Sequence, residues 1–181
     1  MRRAGQGEQT EKNMSEFTHF DENGNAYMVD VSDKEITRRT AVAQGKIHMS
    51  REAMDAVLGR RIKKGDVFTV AQVAGIMGAK RTSELIPMCH PISMTNASVT
   101  FNTDEDACEI TVFCKTVTES KTGVEMEALT GVSAALLTIY DMCKAIDKRM
   151  RISDIHLVEK TGGRSGHFKY ILTGEDRDSG I

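Results

Sequence analysis

The longest regular pattern in the chain lies between Lys121 and Arg149. At 100° per residue, Leu129, Val132, Leu136, Ile139, Tyr140 and Cys143 fall on one side, the apolar stripe that drives a helix into a core. Thr122, with Glu125 three residues later, has capping-box spacing, and no proline interrupts the run. A long helix is therefore predicted from about Gly123. From Ala128 to Tyr140 no residue is charged. The opposite face (Thr130, Ala134, Thr138) is small or neutral and suits contact with another protein surface. Asp141 and Lys144 end the uncharged run. At i and i+3 they share a face with Thr130 and Lys148, and a surface ion pair closing a core helix is the plain structural reading.

The rest of the chain alternates short strand and helix patterns. The turn Asp-Glu-Asn-Gly-Asn within Phe20 to Val31 leads into AYMVDV, read as a strand, and ITRRTAVAQGKIHM reads as a second strand with Arg38 and Arg39 on opposite faces. Ser50 to Leu58 reads as a short helix with Ser50 as N-cap and Gly59 just past its end. Asp66 is placed to cap a further helix, VFTVAQVAGIMGAKR, with Val67, Val70, Val73, Ala74 and Met77 as its apolar stripe. Thr82 to Pro91, TSELIPMCHP, reads as an irregular segment in which Pro87 and Pro91 bracket Met88, Cys89 and His90. Met94 to Asp104 and Ala107 to Thr118 alternate around a TDED turn as an antiparallel hairpin, with Ile110, Val112 and Cys114 in one phase. After the long helix, IHLVEK makes a strand into TGGRSGH, and FKYILTG returns as the last. Residues 1–16 and 173–181 read as a disordered leader and tail around one α+β domain, 17–172. Hairpins in place of simple crossovers point to an antiparallel sheet backed by helices.

Totals narrow the function. The chain has 181 residues, net charge −2 and 40% hydrophobic residues, which argues against general electrostatic capture of nucleic acid. No apolar run approaches a membrane span, so the cytoplasm is the default compartment. The four cysteines, Cys89, Cys108, Cys114 and Cys143, show no CxxC pairing. Disulfides and structural zinc are therefore not expected, and Cys108 and Cys114 read as core thiols.

Against that acidic background several cations stand out: Arg39, Lys64, Lys80, Lys144, Lys160 and Arg164. Lys160 precedes TGGRSG, whose glycine amides can turn toward an anion, although glycine turns between strands are common and the Walker spacing is missing. Lys63 and Lys64 occupy a loop where simple solvation is the plain reading. Lys80 and Arg81 can simply offset a helix dipole. Cys89 and His90 lack the further ligands a metal needs. At the start of the long helix a capping role suffices for Glu125, less so for Glu127. Together the cations suit a polyphosphate-bearing substrate, with Asp141, Glu127 and His90 as candidate proton carriers. A lysine crowded by other cations would have its pKa lowered toward neutrality.

KKGDVF (Lys63 to Phe68), AKRT (Ala79 to Thr82), LIPMCHP (Leu85 to Pro91), KTGVEMEALT (Lys121 to Thr130), LTIYDMCKA (Leu137 to Ala145) and KTGGRSG (Lys160 to Gly166) closely resemble the cyclic pyranopterin monophosphate synthase family, protein C of molybdenum-cofactor biosynthesis. The likeness runs from about Phe17 to Phe168. It implies a ferredoxin-like fold and a lyase that converts 3',8-cyclo-7,8-dihydroguanosine 5'-triphosphate to cyclic pyranopterin monophosphate with release of pyrophosphate. It further implies a homohexamer, a trimer of dimers with active sites at the subunit interface, and no required cofactor or metal site, with Mg2+ able to accompany the triphosphate. Carried onto this chain, the catalytic residues are Asp141, Lys144 and Lys64. The substrate-binding residues are Met88, Cys89, His90, Met126 and Glu127, with Arg39, Lys80, Glu125 and Lys160 lining the same pocket. The role of Arg164 is open.

Two other classes compete. An RNA-recognition module is disfavoured by scarce aromatics, the absence of Trp and the lack of a strand of alternating aromatics. A non-catalytic nucleotide sensor would keep the phosphate-binding cations, but Asp141 and Lys144 argue against it.

Overall fold

In the computed structural model the described residues are Asn25 and 27–171. The chain divides into two units, 1–30 and 31–181.

The sheet is organised on β1 (Thr37–His48). Ala41, Ala43 and Ile47 are fully buried, while Val42, Gln44, Lys46 and His48 between them are half-buried on the other face, the period-2 pattern of a strand with one face on a core. After it come α1 (Arg51–Leu58), α2 (Val67–Lys80), the single turn α3 (Thr82–Leu85), β2 (Met94–Asp104), β3 (Glu109–Ser120), α4 (Glu125–Cys143), β4 (Arg151–Thr161) and β5 (Phe168–Lys169). The sheet order is β2-β3-β1-β4-β5. β1 pairs with β3 from Thr37 opposite Ser120 to His48 opposite Glu109, and every pairing in the sheet is antiparallel. A β-helix-β-β-helix-β path with that order is the ferredoxin-like arrangement expected from the sequence.

The predicted caps of α1 and α2 form: Ser50 Oγ accepts the Ala53 N–H at 3.3 Å and Asp66 Oδ1 the Thr69 N–H at 3.1 Å. The capping box of α4 does not. Its N-cap is Val124, without a side-chain cap. Val124 is buried and its carbonyl accepts the Thr116 hydroxyl at 3.0 Å, so packing against β3 sets where the helix begins.

The helices meet through small residues. A Cβ added to Gly75 would lie 2.9 Å from Gly131 O, and one on Gly78 would lie 2.6 Å from Ala134 Cβ. α2 runs against β2, with Phe68 on Phe101 and Gln72 on the Val99 carbonyl, and α4 runs against β3, with Val124 on Thr116 and Gly131 on Cys114. Because β2 and β3 are antiparallel, α2 is antiparallel to α4, with Ala71, Gly75 and Ala79 buried at i, i+4 and i+8. These contacts bear on one expectation and correct another. The uncharged Thr130 and Ala134 face of α4 meets Gly78 of α2 in the same chain, although both residues remain half-buried. The α2 stripe is rotated outward: Val67 is buried, but Val70, Val73 and Met77 are 42%, 57% and 42% exposed. Backbone contact through glycine needs no large side chain, and a pattern weighted by bulk finds the wrong face.

Other differences are local. Tyr27 to Val31 has no strand, and 20–24 and 26, like the leader and the residues after Ile171, lie outside the described residues. Part of the proline segment winds into α3, and of FKYILTG the strand β5 takes Phe168 and Lys169, with 172–174 outside the described residues. Cys114 is buried as expected, but Cys108 closes the hairpin turn at φ +52°, half-buried. No helix among the described residues is long and apolar enough to cross a membrane.

Candidate active site

Two groups of charged residues form at opposite ends of α4. At its C-terminal end Asp141 lies between two lysines. Lys144, the C-cap residue, reaches Asp141 Oδ1 at 2.7 Å. Lys64 reaches Oδ2 at 2.7 Å and also donates to the Asp141 carbonyl at 2.7 Å. Lys64 is presented by the α1–α2 loop, where Gly65 at φ +110° donates its N–H to Ile62 O, a left-handed turn that glycine makes without strain. The three side chains are 47–56% exposed. Hydrogen bonds from Lys144, then Lys64, hold the Asp141 carboxyl down at about 2. The same contact raises Lys144 above its ordinary value, so Lys144 is not lowered toward neutrality: the carboxylate at contact distance favours its charged form. Exposed ion pairs add little stability, and the geometry instead leaves two ammonium groups oriented toward solvent.

At the N-terminal end of α4, Glu125 Oε1 accepts from Lys160 at 2.8 Å, and Lys160 also donates to Ser165 Oγ at 2.9 Å. The loop after β4 turns through Gly162 and Gly163 at φ +92° and +71°. A Cβ on Gly162 would strike the Arg38 carbonyl, and one on Gly163 the Arg39 guanidinium. That guanidinium is anchored on the chain itself, donating through Nε to Ser120 O and through Nη2 to Lys121 O, both at 3.1 Å. In the first turn of α4 Glu127 is 4% exposed. Burial first, and then the charge of Glu125, push its carboxyl up to about 7 against an opposing backbone hydrogen bond. Cys89, half-buried, is raised by burial and by Glu127, which places the Met88-Cys89-His90 segment at this end. Met126 is exposed at 37%. The antiparallel α2 ends at Lys80, exposed, and its direction carries Lys80 toward the same end of α4.

The sequence therefore selects residues that the fold gathers, but into two groups. At about 1.5 Å rise per residue, Glu125 and Asp141 are about 24 Å apart along the helix, too far for one nucleotide to touch both within one chain. Ser165, the second partner of Lys160, is not singled out by the sequence; its place in the glycine loop was the available signal. Among the described residues no group of three or more His, Cys, Asp or Glu is placed to hold a metal ion.

A ferredoxin-like α+β chain with a lysine–aspartate–lysine group at one end of a helix and a glycine loop beside cations at the other is an arrangement that can hold an anionic group and move protons. Comparison with known proteins gives the family. The MoaC family model matches residues 28–163, and the chain belongs to the MoaC family. Proteins named cyclic pyranopterin monophosphate synthase are similar over most of its length. The one from Heliobacterium modesticaldum is 58% identical over 155 residues, covering 86% of this chain and 98% of its own. That of Listeria monocytogenes serotype 4a is 58% identical over 154 residues (85% and 96%), and that of Clostridium acetobutylicum 57% over 159 (87% and 99%).

Proposed function

We propose that the chain acts as its relatives are named, converting 3',8-cyclo-7,8-dihydroguanosine 5'-triphosphate to cyclic pyranopterin monophosphate and pyrophosphate in molybdenum-cofactor biosynthesis, in the cytoplasm. The observation that carries this reading is Asp141 held between Lys64 and Lys144 at 2.7 Å on each oxygen. Lys64 and Lys144 exchange protons with the purine-derived ring and the ribose oxygens. Asp141 orients Lys144 and keeps it charged until it gives up its proton. Positioned transfer of this kind contributes about a hundredfold to ten-thousandfold. In the cyclising step the ribose 3'-oxygen loses its proton and bonds to the α-phosphorus, and the bond from that phosphorus to the bridging oxygen breaks as pyrophosphate leaves. Arg39, Lys80 and Lys160 hold the phosphates and offset the charge that develops. Met88, Cys89, His90, Met126, Glu125 and Glu127 form the remaining wall. The chemistry requires no redox cofactor, and Mg2+ accompanies the triphosphate if any metal does.

The same reading includes a homohexamer, a trimer of dimers with active sites between subunits. Its support is the distance of about 24 Å between the two ends of α4, since the reacting group of one copy then needs the binding end of another. Val70, Val73 and Met77 on α2 and Leu137 on α4, the last 62% exposed, supply apolar surface for such contacts.

The decisive experiment measures pyrophosphate and pterin product from the cyclic dihydroguanosine triphosphate, with and without chelator, for the native chain and Lys144→Ala. Native turnover with an inactive but assembled variant is expected. Native-rate turnover by Lys144→Ala would sink the assignment.

A further inference from the structure

The two lysines that meet at Asp141 come from different segments, Lys64 from the loop after α1 and Lys144 from the turn after α4. One buried carboxylate joins those segments. Asp147 is 6% exposed. Its Oδ2 accepts the backbone N–H of Ser50 at 2.7 Å, and its Oδ1 accepts that of Arg149 at 2.8 Å. Ser50 is the N-cap of α1, an eight-residue helix that passes through Gly59 and Arg60, the latter at φ +52°, into the loop carrying Lys64. Arg149 closes the turn that begins at Lys144. Within that turn the Asp147 N–H donates to Cys143 O at 3.1 Å and the Tyr140 hydroxyl to Lys148 O at 3.0 Å.

The position suits a charge, because the first turn of α1 presents its N–H groups and the positive end of its dipole to the carboxylate. The Arg149 guanidinium lies 3.9 Å away on a side chain that is 92% exposed, and a pair of that kind contributes little. The backbone contacts are therefore what matters, and they bind the start of one lysine-bearing segment to the end of the other.

We propose that Asp147 is a positioning residue that sets the spacing of Lys64 and Lys144 about Asp141. It touches neither lysine and no substrate. The proposal rests on the reading of Lys64, Asp141 and Lys144 as the reacting group, and its effect is on rate because misplacing a proton-transfer group by about an ångström costs up to roughly a hundredfold.

The test is steady-state pyrophosphate release by the full-length oligomer, well below its thermal midpoint, for the native chain, Asp147→Asn, Ser50→Ala, Ser50→Pro and Lys144→Ala. Asparagine keeps the size but turns one accepting oxygen into an NH2 group that faces a backbone N–H. Ser50→Ala removes the hydroxyl that caps Ala53 and also lies against Asp147 but keeps the backbone N–H that Asp147 uses; Ser50→Pro removes the hydroxyl and the N–H, and proline fits the φ of −67° there. Asp147→Asn and Ser50→Pro are expected to lower kcat by about tenfold to a hundredfold with KM moved less than about threefold, while Ser50→Ala loses thermal stability and keeps kcat within about twofold. If Asp147→Asn does not assemble, the two Ser50 variants decide alone. Loss of midpoint with kcat unchanged in Asp147→Asn or Ser50→Pro, or an equal loss of kcat in Ser50→Ala, overturns the proposal. Should Lys144→Ala turn over at the native rate, the reading of the reacting group fails; should it be inactive while Asp147→Asn is unimpaired, only the positioning role fails.

Discussion

At the C-terminal end of α4 three charged side chains stand about half exposed and are held by one another and by the Asp141 carbonyl. At its N-terminal end the corresponding groups are held by the fold: Arg39 by two backbone carbonyls, Lys160 by Glu125 and Ser165, and Glu127 by burial itself. The difference matches two kinds of work. Groups that exchange protons need solvent-facing donors and adjustable contacts, whereas groups that recognise a fixed phosphate and ring geometry gain from being held rigidly before substrate arrives. On the proposed function one helix thus carries a reacting end and a recognising end, and a complete site needs both.

The largest effect follows from that division. Assayed with substrate well below KM, Lys144→Ala and Lys160→Ala oligomers, each nearly inactive there, are expected to regain activity when mixed under conditions that exchange subunits, because a site can then take its reacting end from one chain and its recognising end from another. Pyrophosphate release from the mixture, compared with each variant alone, reads this out. No gain despite proven exchange would place both ends of each site in a single chain. Next in size, Asp141→Asn is expected to lower kcat by about a hundredfold to ten-thousandfold with a small change in KM, because an amide cannot keep both ammonium groups in place. Lys160→Ala should show the reverse weighting, with KM raised more than kcat falls. Equal weighting in the two variants would remove the distinction between the ends.

Much of this is legible in the sequence for a local reason. Ser50 and Asp66 cap helices through contacts three residues away, and β1 and β3 declare their inward faces by alternation. The outward rotation of α2 is not legible, since Gly75 and Gly78 matter only through the α4 backbone they approach. The missing capping box has the same origin: Thr116, eight residues away on β3, and the burial of Val124 decide where α4 starts. The separation of Glu125 from Asp141 is different. Both lie on one predicted helix, so helical rise alone places them about 24 Å apart; the matching motifs draw them into one pocket only because a motif carries no information on which copy supplies it. Asp147 has no sequence signal, since its partners are backbone groups.

A smaller effect tests how firmly the recognising end is held. Gly163→Ala would put a methyl group on the Arg39 guanidinium at a φ of +71° that alanine adopts poorly. The guanidinium must shift from Ser120 O and Lys121 O, and losing charged hydrogen bonds worth about 1.5–3 kcal/mol predicts KM raised by roughly tenfold to a hundredfold. The reacting end is untouched, so kcat should fall far less. Isothermal titration with inorganic pyrophosphate checks the same loss without turnover. Unaltered pyrophosphate affinity would separate Arg39 from phosphate binding.

The smallest effect concerns Glu127, the group that most separates the two ends. Its carboxyl keeps its proton in the folded chain up to about pH 7, whereas the unfolded chain releases it at the ordinary carboxylate value of 4.5. Below that value both states are protonated and the fold carries no penalty. As pH rises from there the unfolded state loses its proton first, so stability falls until the folded carboxyl also ionises near 7, then levels off. The full difference amounts to no more than about 3 kcal/mol per chain. Glu127→Gln keeps a neutral side chain of the same length at every pH. Denaturant midpoints of the two oligomers should therefore agree at pH 4 and diverge in favour of the variant by pH 8. A gap that stays constant between those values would show that Glu127 is ionised in the assembled protein, with a cation from a neighbouring copy beside it. The recognising end would then be shaped by its partner as much as by its own fold.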